Sequence, residues 1–175
     1  MKFIHLSDLH IGKRVNEFSM LEEQRYILLK ILEIIEQEKP DAVLIAGDVY
    51  DKSQPSGEAV KMLDEFIFRL SDMPLSAFII SGNHDSAERL SFGSRIMERA
   101  NIFISPVYDG TIQKHTLKDE WGEVNIFMLP FIKPVNVRQA FPDVYPFAIR
   151  TAIAYSASPV EGEFVYPINR PWFGW

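Results

Sequence analysis

Apolar and polar positions alternate along the chain in blocks. Residues 2–7 form a short β-rich run that ends in polar residues, the signature of a buried strand. Ser19-Met20-Leu21-Glu22 matches a capping box. Leu21, Leu28, Ile31, Leu32 and Ile35 then mark one face at helical spacing, and Pro40 closes that segment. Ala42–Ala46 is a second apolar strand. Val60, Leu63, Ile67 and Leu70 predict a second helix opened near Ser56, and residues 75–80 a third strand. Residues 87–99 predict a third helix with Ser86 as its N-cap.

This βαβαβα alternation argues for an α/β layer fold with a largely parallel central sheet. Ile102–Ile104, residues 111–117 and residues 124–129 read as further strands, with Gly110 and Gly122 where turns are wanted. After about Phe147 the pattern changes. Residues 148–175 hold Pro159, Pro167 and Pro171 and show neither a helical period nor a strand alternation. Residues 1–147 are therefore expected to form the folded unit, incomplete at its C-terminus, and residues 148–175 an atypical tail that is not native to it.

Composition narrows the class. An apolar fraction of 47% and a charged fraction of 24% are ordinary for a globular protein of 175 residues. No apolar run approaches the roughly 20 residues of a membrane helix, and the start reaches charge too soon for a signal peptide. The absence of cysteine excludes disulfides, zinc–thiolate sites and thiol catalysis, and fits a cytoplasmic location. The net charge is −6 and neither half of the chain is basic. Any nucleic-acid partner must therefore be met through a local patch, a metal site or another protein.

The candidate chemistry sits at the ends of the three apolar strands: Asp8-Leu9-His10, Gly47-Asp48-Val49-Tyr50-Asp51 and Gly82-Asn83-His84-Asp85. In open α/β sheets ligands bind outside the carboxyl ends of strands, so these clusters are expected to converge. Carboxylate, imidazole and amide oxygen together suit manganese, iron or zinc better than calcium. A carboxylate can bridge two ions, and two ions about 3.5–4 Å apart can clamp a phosphoryl displacement. Each cluster alone also reads as a strand-ending turn. The three in this order, each after an apolar strand, point to a metal site.

These motifs resemble the calcineurin-like metallophosphoesterase superfamily. Residues 5–12, Gly47-Asp48-Val49-Tyr50-Asp51, residues 82–92, Leu129-Pro130-Phe131-Ile132-Lys133-Pro134 and Val137-Arg138 are similar to its bacterial SbcD-type DNA-repair nucleases. The resemblance implies layers of β-sheet flanked by helices. Asp8 and His10 would bind a first ion, Asp48 would bridge both ions, and Asn83 would bind the second. His84 would face the scissile phosphate as the catalytic acid. Asp85 would orient His84, and Asp51, like Asp85, would lie just outside the ligands. The implied cofactors are two divalent ions, manganese by preference. The implied activity is exonuclease and endonuclease cleavage of DNA in replication, recombination and repair, with an SbcC-like coiled-coil ATPase as partner and a possible homodimer.

The chain departs from that pattern in one respect. The family completes its site with three more histidines, two of them in a Gly-His-x-His motif. This chain has His5, His10, His84 and His115 and no Gly-His-x-His. It is therefore expected to be an N-terminal portion, its tail an out-of-frame or rearranged segment, and to be inactive alone. Another calcineurin-like phosphoesterase and a catalytically inactive fragment are the competing readings. Among the remaining residues, His5 reads as a packed, hydrogen-bonded strand residue and His115 as a solvated hairpin residue. Lys13, Arg14, Arg89 and Arg95 read as surface charge with DNA contact as the alternative. Trp172-Phe173-Gly174-Trp175 reads as a sticky tail rather than a base-stacking platform.

Overall fold

The computed structural model describes residues 1–142. The tail from residue 148, with Trp172 and Trp175, lies outside the described residues. Four strands, β1 (Phe3–Leu6), β4 (Ala42–Ala46), β5 (Ser76–Ile80) and β6 (Ile102–Ile104), form a parallel sheet in the order β1-β4-β5-β6. Two antiparallel hairpins stand apart from it. One pairs β2 (Arg14–Val15) with β3 (Phe18–Ser19), the other β7 (Gln113–Asp119) with β8 (Gly122–Met128).

Because each strand adds on the same side of its predecessor, right-handed crossovers carry the connecting helices to one face of the sheet. These are α1 (Leu21–Glu38) and α2 (Gly57–Ser71). Leu28, Leu32 and Ile35 of α1 and Met62, Leu63, Phe66 and Leu70 of α2 bury against Val43, Ile45, Ala77, Ile79, Ile102 and Ile104. The opposite face carries Ala42, Phe78 and Ile80, which pack under Ile126 and Met128 of the β7–β8 hairpin. Burying each such side chain contributes about 1.5–3 kcal/mol. Among the described residues, no helix is long and apolar enough to cross a membrane.

Several expectations are corrected. Ser19 does not cap α1. Its backbone pairs with Arg14 in the small hairpin, so Met20 is the N-cap and has no side-chain cap bond. Ser56 does cap α2, accepting the Ala59 N–H at 3.2 Å. Val60 is exposed, because the buried stripe of α2 runs through Ala59, Met62, Leu63, Phe66 and Ile67. The third helix is broken into α3 (Ala87–Leu90), α4 (Ser94–Met97) and a 3-10 turn (Glu98–Ala100). Gly93 adopts φ 77° at the break, a conformation that no continuous helix contains. Ser86 caps α3 as expected, accepting from Arg89 N.

His5 is not packed. It shares a face with Phe3 at the β1 edge of the sheet and is exposed. His115 is only partly solvated. Its ring lies 4.3 Å from the Phe103 ring and 5.5 Å from that of Phe78, between centroids.

Candidate metal centre

The strand order places the ends of β1, β4 and β5 side by side, and the loops that follow are fastened to one another. Asp8 N–H donates to the Gly47 carbonyl at 3.2 Å, His10 N–H to Asp48 at 2.9 Å and Ile11 N–H to Val49 at 2.9 Å. Asp51 N–H returns to the Ile11 carbonyl at 3.1 Å. The first loop is thus zipped alongside the second. Asp8, His10 and Asp48 all have positive φ, at 56°, 44° and 49°. Left-handed backbone at three non-glycine positions of one cluster is strain held by its surroundings, and such strain collects at functional sites.

The second and third loops touch at two glycines. A Cβ on Gly82 would collide with the Asp48 side chain and backbone nitrogen. A Cβ on Gly47 would come within 2.9 Å of the Gly82 Cα. Glycine at both positions is what lets Asp48 reach the third loop. There its Oδ1 accepts the His84 N–H at 3.0 Å. Its Oδ2 is left 3.9 Å from His10 Nε2, and Asp8 Oδ1 lies at the same distance from that nitrogen.

His10, Asp48 and His84 each offer a ligand atom, and these atoms all lie within 4.8 Å of one another. The two imidazole rings meet edge to face at 4.8 Å between centroids. His84 Nδ1 sits 2.9 Å from the Asp51 carbonyl oxygen. A carbonyl can only accept, so Nδ1 carries the hydrogen and Nε2 is left free. His10 Nδ1 is buried with no hydrogen-bond partner, and Asp51 Oδ1 is its near neighbour at 3.6 Å. The His10 imidazole, the Asp48 carboxylate and a further carboxylate at the mouth offer the nitrogen and oxygen donors that suit a borderline divalent ion, with the His84 ring beside them. The residues present fit such an ion.

Asp8 is open to solvent, its side chain 67% exposed against 12% for Asp48. Asn83 is exposed on the same turn as His84. Asp85 does not reach His84. Its buried carboxylate accepts the backbone N–H groups of Val49 at 3.1 Å, Tyr50 at 2.8 Å and Gly82 at 2.8 Å. It therefore fixes the loops that carry Asp48 and His84, and the group that contacts the His84 ring is the Asp51 backbone. Burial, and then the charges of Asp85 and Asp64, push the Tyr50 hydroxyl up to about 12.

Sequence reasoning missed Gln24. Its side-chain amide meets Gly12, Leu9 and His10 of the first loop. The signal that could have found it was position, since Gln24 precedes Leu28 by one helical turn on the inward stripe of α1. Beside the strand ends lies a cleft of about 290 Å³ lined in part by Ser86, Arg89, Tyr108, Lys133 and Asn136. One of its walls is set by the Phe131 N–H, which donates to the Ser81 carbonyl at 2.8 Å.

Comparison with known proteins agrees with this geometry. A Staphylococcus epidermidis protein named as the SbcD component of the nuclease SbcCD is 36% identical over 172 residues, covering 94% of this chain and 44% of that protein. Its namesake from Staphylococcus saprophyticus is 38% identical over 166 residues, covering 92% of this chain and 43% of that protein. The chain thus spans less than half the length of these relatives. The family model described as calcineurin-like phosphoesterase matches residues 1–154, which takes in every strand of the sheet and all three loops. By that match, and by the loops that gather Asp48 between two histidines, the chain belongs to the calcineurin-like phosphoesterases.

Proposed function

We propose that this chain is the N-terminal part of an SbcD-like nuclease that hydrolyses phosphodiester bonds in DNA with divalent metal ions, manganese by preference. The observation that supports it most is the meeting of His10, Asp48 and His84 at the ends of β1 and the two strands beside it. The similarity to proteins named as components of a nuclease supports the choice of DNA over other phosphate esters. Ions bound there would act as Lewis acids toward the phosphate and lower the pKa of the attacking water.

The family resemblance suggests the roles of the chain's own residues. Asp8, His10 and Asp48 would hold a first ion, Asp48 would be shared with a second, and Asn83 would serve that second ion. His84, with Nδ1–H committed to the Asp51 carbonyl, presents Nε2 outward; in its doubly protonated imidazolium form it would give the Nε2 proton to the leaving oxygen and become neutral. Arg89 and Lys133 line the cleft beside this centre and take the flanking phosphates of the strand. The cellular role is DNA replication, recombination and repair in the cytoplasm. The partner is an SbcC-like coiled-coil ATPase, and the nuclease pairs with a second copy of itself. The further histidines that the family uses do not occur among the four of this chain, so the chain alone holds a partial centre and does not cleave DNA.

A chimera tests this reading. Residues 1–142 replace the corresponding segment of the Staphylococcus epidermidis relative, and manganese-dependent cleavage of end-labelled duplex DNA is measured. Cleavage that Asp48→Asn abolishes is the expected result. His84→Gln should retain manganese and lose cleavage. A folded chimera that hydrolyses a small chromogenic phosphodiester and leaves DNA intact would favour another phosphoesterase.

A further inference from the structure

We propose that Gln24 is a positioning residue that sets the conformation of the first metal-binding loop, and so aims Asp8 and His10. The inference rests on the reading of that loop as part of a metal centre. Gln24 stands in the first turns of α1, and its amide makes three bonds to loop backbone. Oε1 accepts the Gly12 N–H at 2.9 Å. Nε2 donates to the His10 carbonyl at 2.7 Å and to the Leu9 carbonyl at 3.2 Å. Only one orientation of the amide satisfies an N–H donor and two carbonyl acceptors, so the side chain reads the loop's polarity as well as its path.

The loop needs such a fastener. Asp8 and His10 hold positive φ, and Gly12 follows at 89°. Left-handed residues at alternate positions turn successive carbonyls in different directions, so pairing with the second loop uses the N–H groups of Asp8, His10 and Ile11 and a bridge between Ile11 and Tyr50. On one side the loop is tied to the second loop through Asp8, His10 and Ile11 N–H groups. The carbonyls of Leu9 and His10 accept from the Gln24 side chain, and the His10 carbonyl also takes the Lys13 N–H at 3.0 Å. Isolated αL residues are strained and persist only when the surroundings over-determine them. Gln24 supplies that determination from the helix side. The His10 ring hangs from the residue whose carbonyl takes the shortest of the three bonds.

Two substitutions separate positioning from simple support of α1. Gln24→Glu keeps an acceptor for Gly12 N–H and replaces the donor with a carboxylate facing two carbonyls. Gln24→Leu removes both functions and keeps the packing volume. In the metal-free 175-residue chain, amide hydrogen exchange and 1H–15N shifts of residues 8–12 report the loop. Gly12 exchange should accelerate about tenfold or more in Gln24→Leu and less in Gln24→Glu. The Leu9, His10 and Ile11 amides should shift in both. Manganese affinity, read by electron paramagnetic resonance, should fall about 10- to 100-fold in both variants, as for other residues that orient ligands. A core variant at the opposite end of α2, Leu70→Val, chosen to match the thermal midpoint, should bind manganese as the parent does. Unshifted loop amides with parental manganese affinity would overturn the proposal, as would an equal loss of affinity in Leu70→Val. If the parent chain itself binds no manganese, the reading of the metal centre fails, and the exchange and shift data still decide whether Gln24 sets the loop. Should Gln24→Leu fail to fold, Gln24→Glu carries both measurements.

Discussion

Asp85 is joined to Tyr50 through the protein interior: its carboxylate accepts the Tyr50 backbone N–H at 2.8 Å, and both residues are buried. The same carboxylate takes Val49 N–H and Gly82 N–H, so one side chain ties the loop after β4 to the loop after β5. A hydrogen bond to a charged group contributes about 1.5–3 kcal/mol, and an abandoned buried donor costs a similar amount. Asp85→Ala is therefore expected to lower unfolding free energy by about 3 kcal/mol or more in urea titrations. Asp85→Asn, with one acceptor oxygen in place of two, should lie between it and the parent.

Gly82→Ala tests the contact between the loops. The added methyl group would collide with Asp48 itself, and the atoms it meets include the backbone nitrogen, which cannot swing aside. Overpacking of this kind costs about 1–3 kcal/mol. The larger consequence is local, because Asp48 must move. Manganese affinity should fall by more than the loss of stability accounts for, measured by calorimetry on the folded variant. Gly57→Ala, where an added Cβ meets nothing within 4 Å, should leave manganese affinity unchanged.

The strand-end motifs were legible because each is local: an apolar run, a glycine, then carboxylate and imidazole. Their convergence follows from the parallel order of the strands, which the alternation of elements implies. What was not legible depends on contacts between distant segments. Asp85 follows His84 in sequence, yet its carboxylate turns toward the backbone of Val49 and Tyr50. His5 is exposed and His115 half-buried because, among the described residues, the β7–β8 hairpin covers the sheet near Phe78 and Phe103 and does not cover the face of β1 that carries His5. The capping box at Ser19 is not formed because Ser19 pairs with Arg14 and the helix begins one residue later, so its Oγ reaches only the Leu21 N–H, at 3.5 Å. Gln24 looked like an ordinary helix residue until the loop it holds was seen.

His115 gives the fold a sensitivity to acid. Burial against Phe103 and Phe78 lowers its pKa below the ordinary 6.5, against a small opposing pull from Glu98. The unfolded chain then binds the proton first as pH falls. The stability associated with the neutral ring is intact above pH 6.5 and is lost as pH drops from there through the folded-state value. His115→Phe should flatten this part of the thermal midpoint against pH curve. An unchanged slope would place the proton uptake elsewhere.

Tyr50 acts at the other end of the scale. Its hydroxyl is raised from 10.0 to about 12, first by burial and then by the charges of Asp85 and Asp64. The folded state therefore holds this proton more tightly than the unfolded state. The associated stability is complete below pH 10.0 and is lost as pH rises through about 12. In an ultraviolet titration of tyrosinate, the Tyr50→Phe variant should lose the latest-ionising component. Its alkaline unfolding should also be less steep.

The most direct measurement is manganese titration of the purified 175-residue chain, followed by calorimetry or electron paramagnetic resonance. A site held by His10, Asp48 and Asp8, with His84 beside it, should give a single, weak saturable site. Asp48→Asn and His10→Ala should each weaken it by about 100-fold or more, since each removes a ligand or its charge. His5→Ala and His115→Phe, away from the cluster, should leave it unchanged. Manganese binding that survives Asp48→Asn and His10→Ala, or no binding at all, would contradict a metal centre at these strand ends.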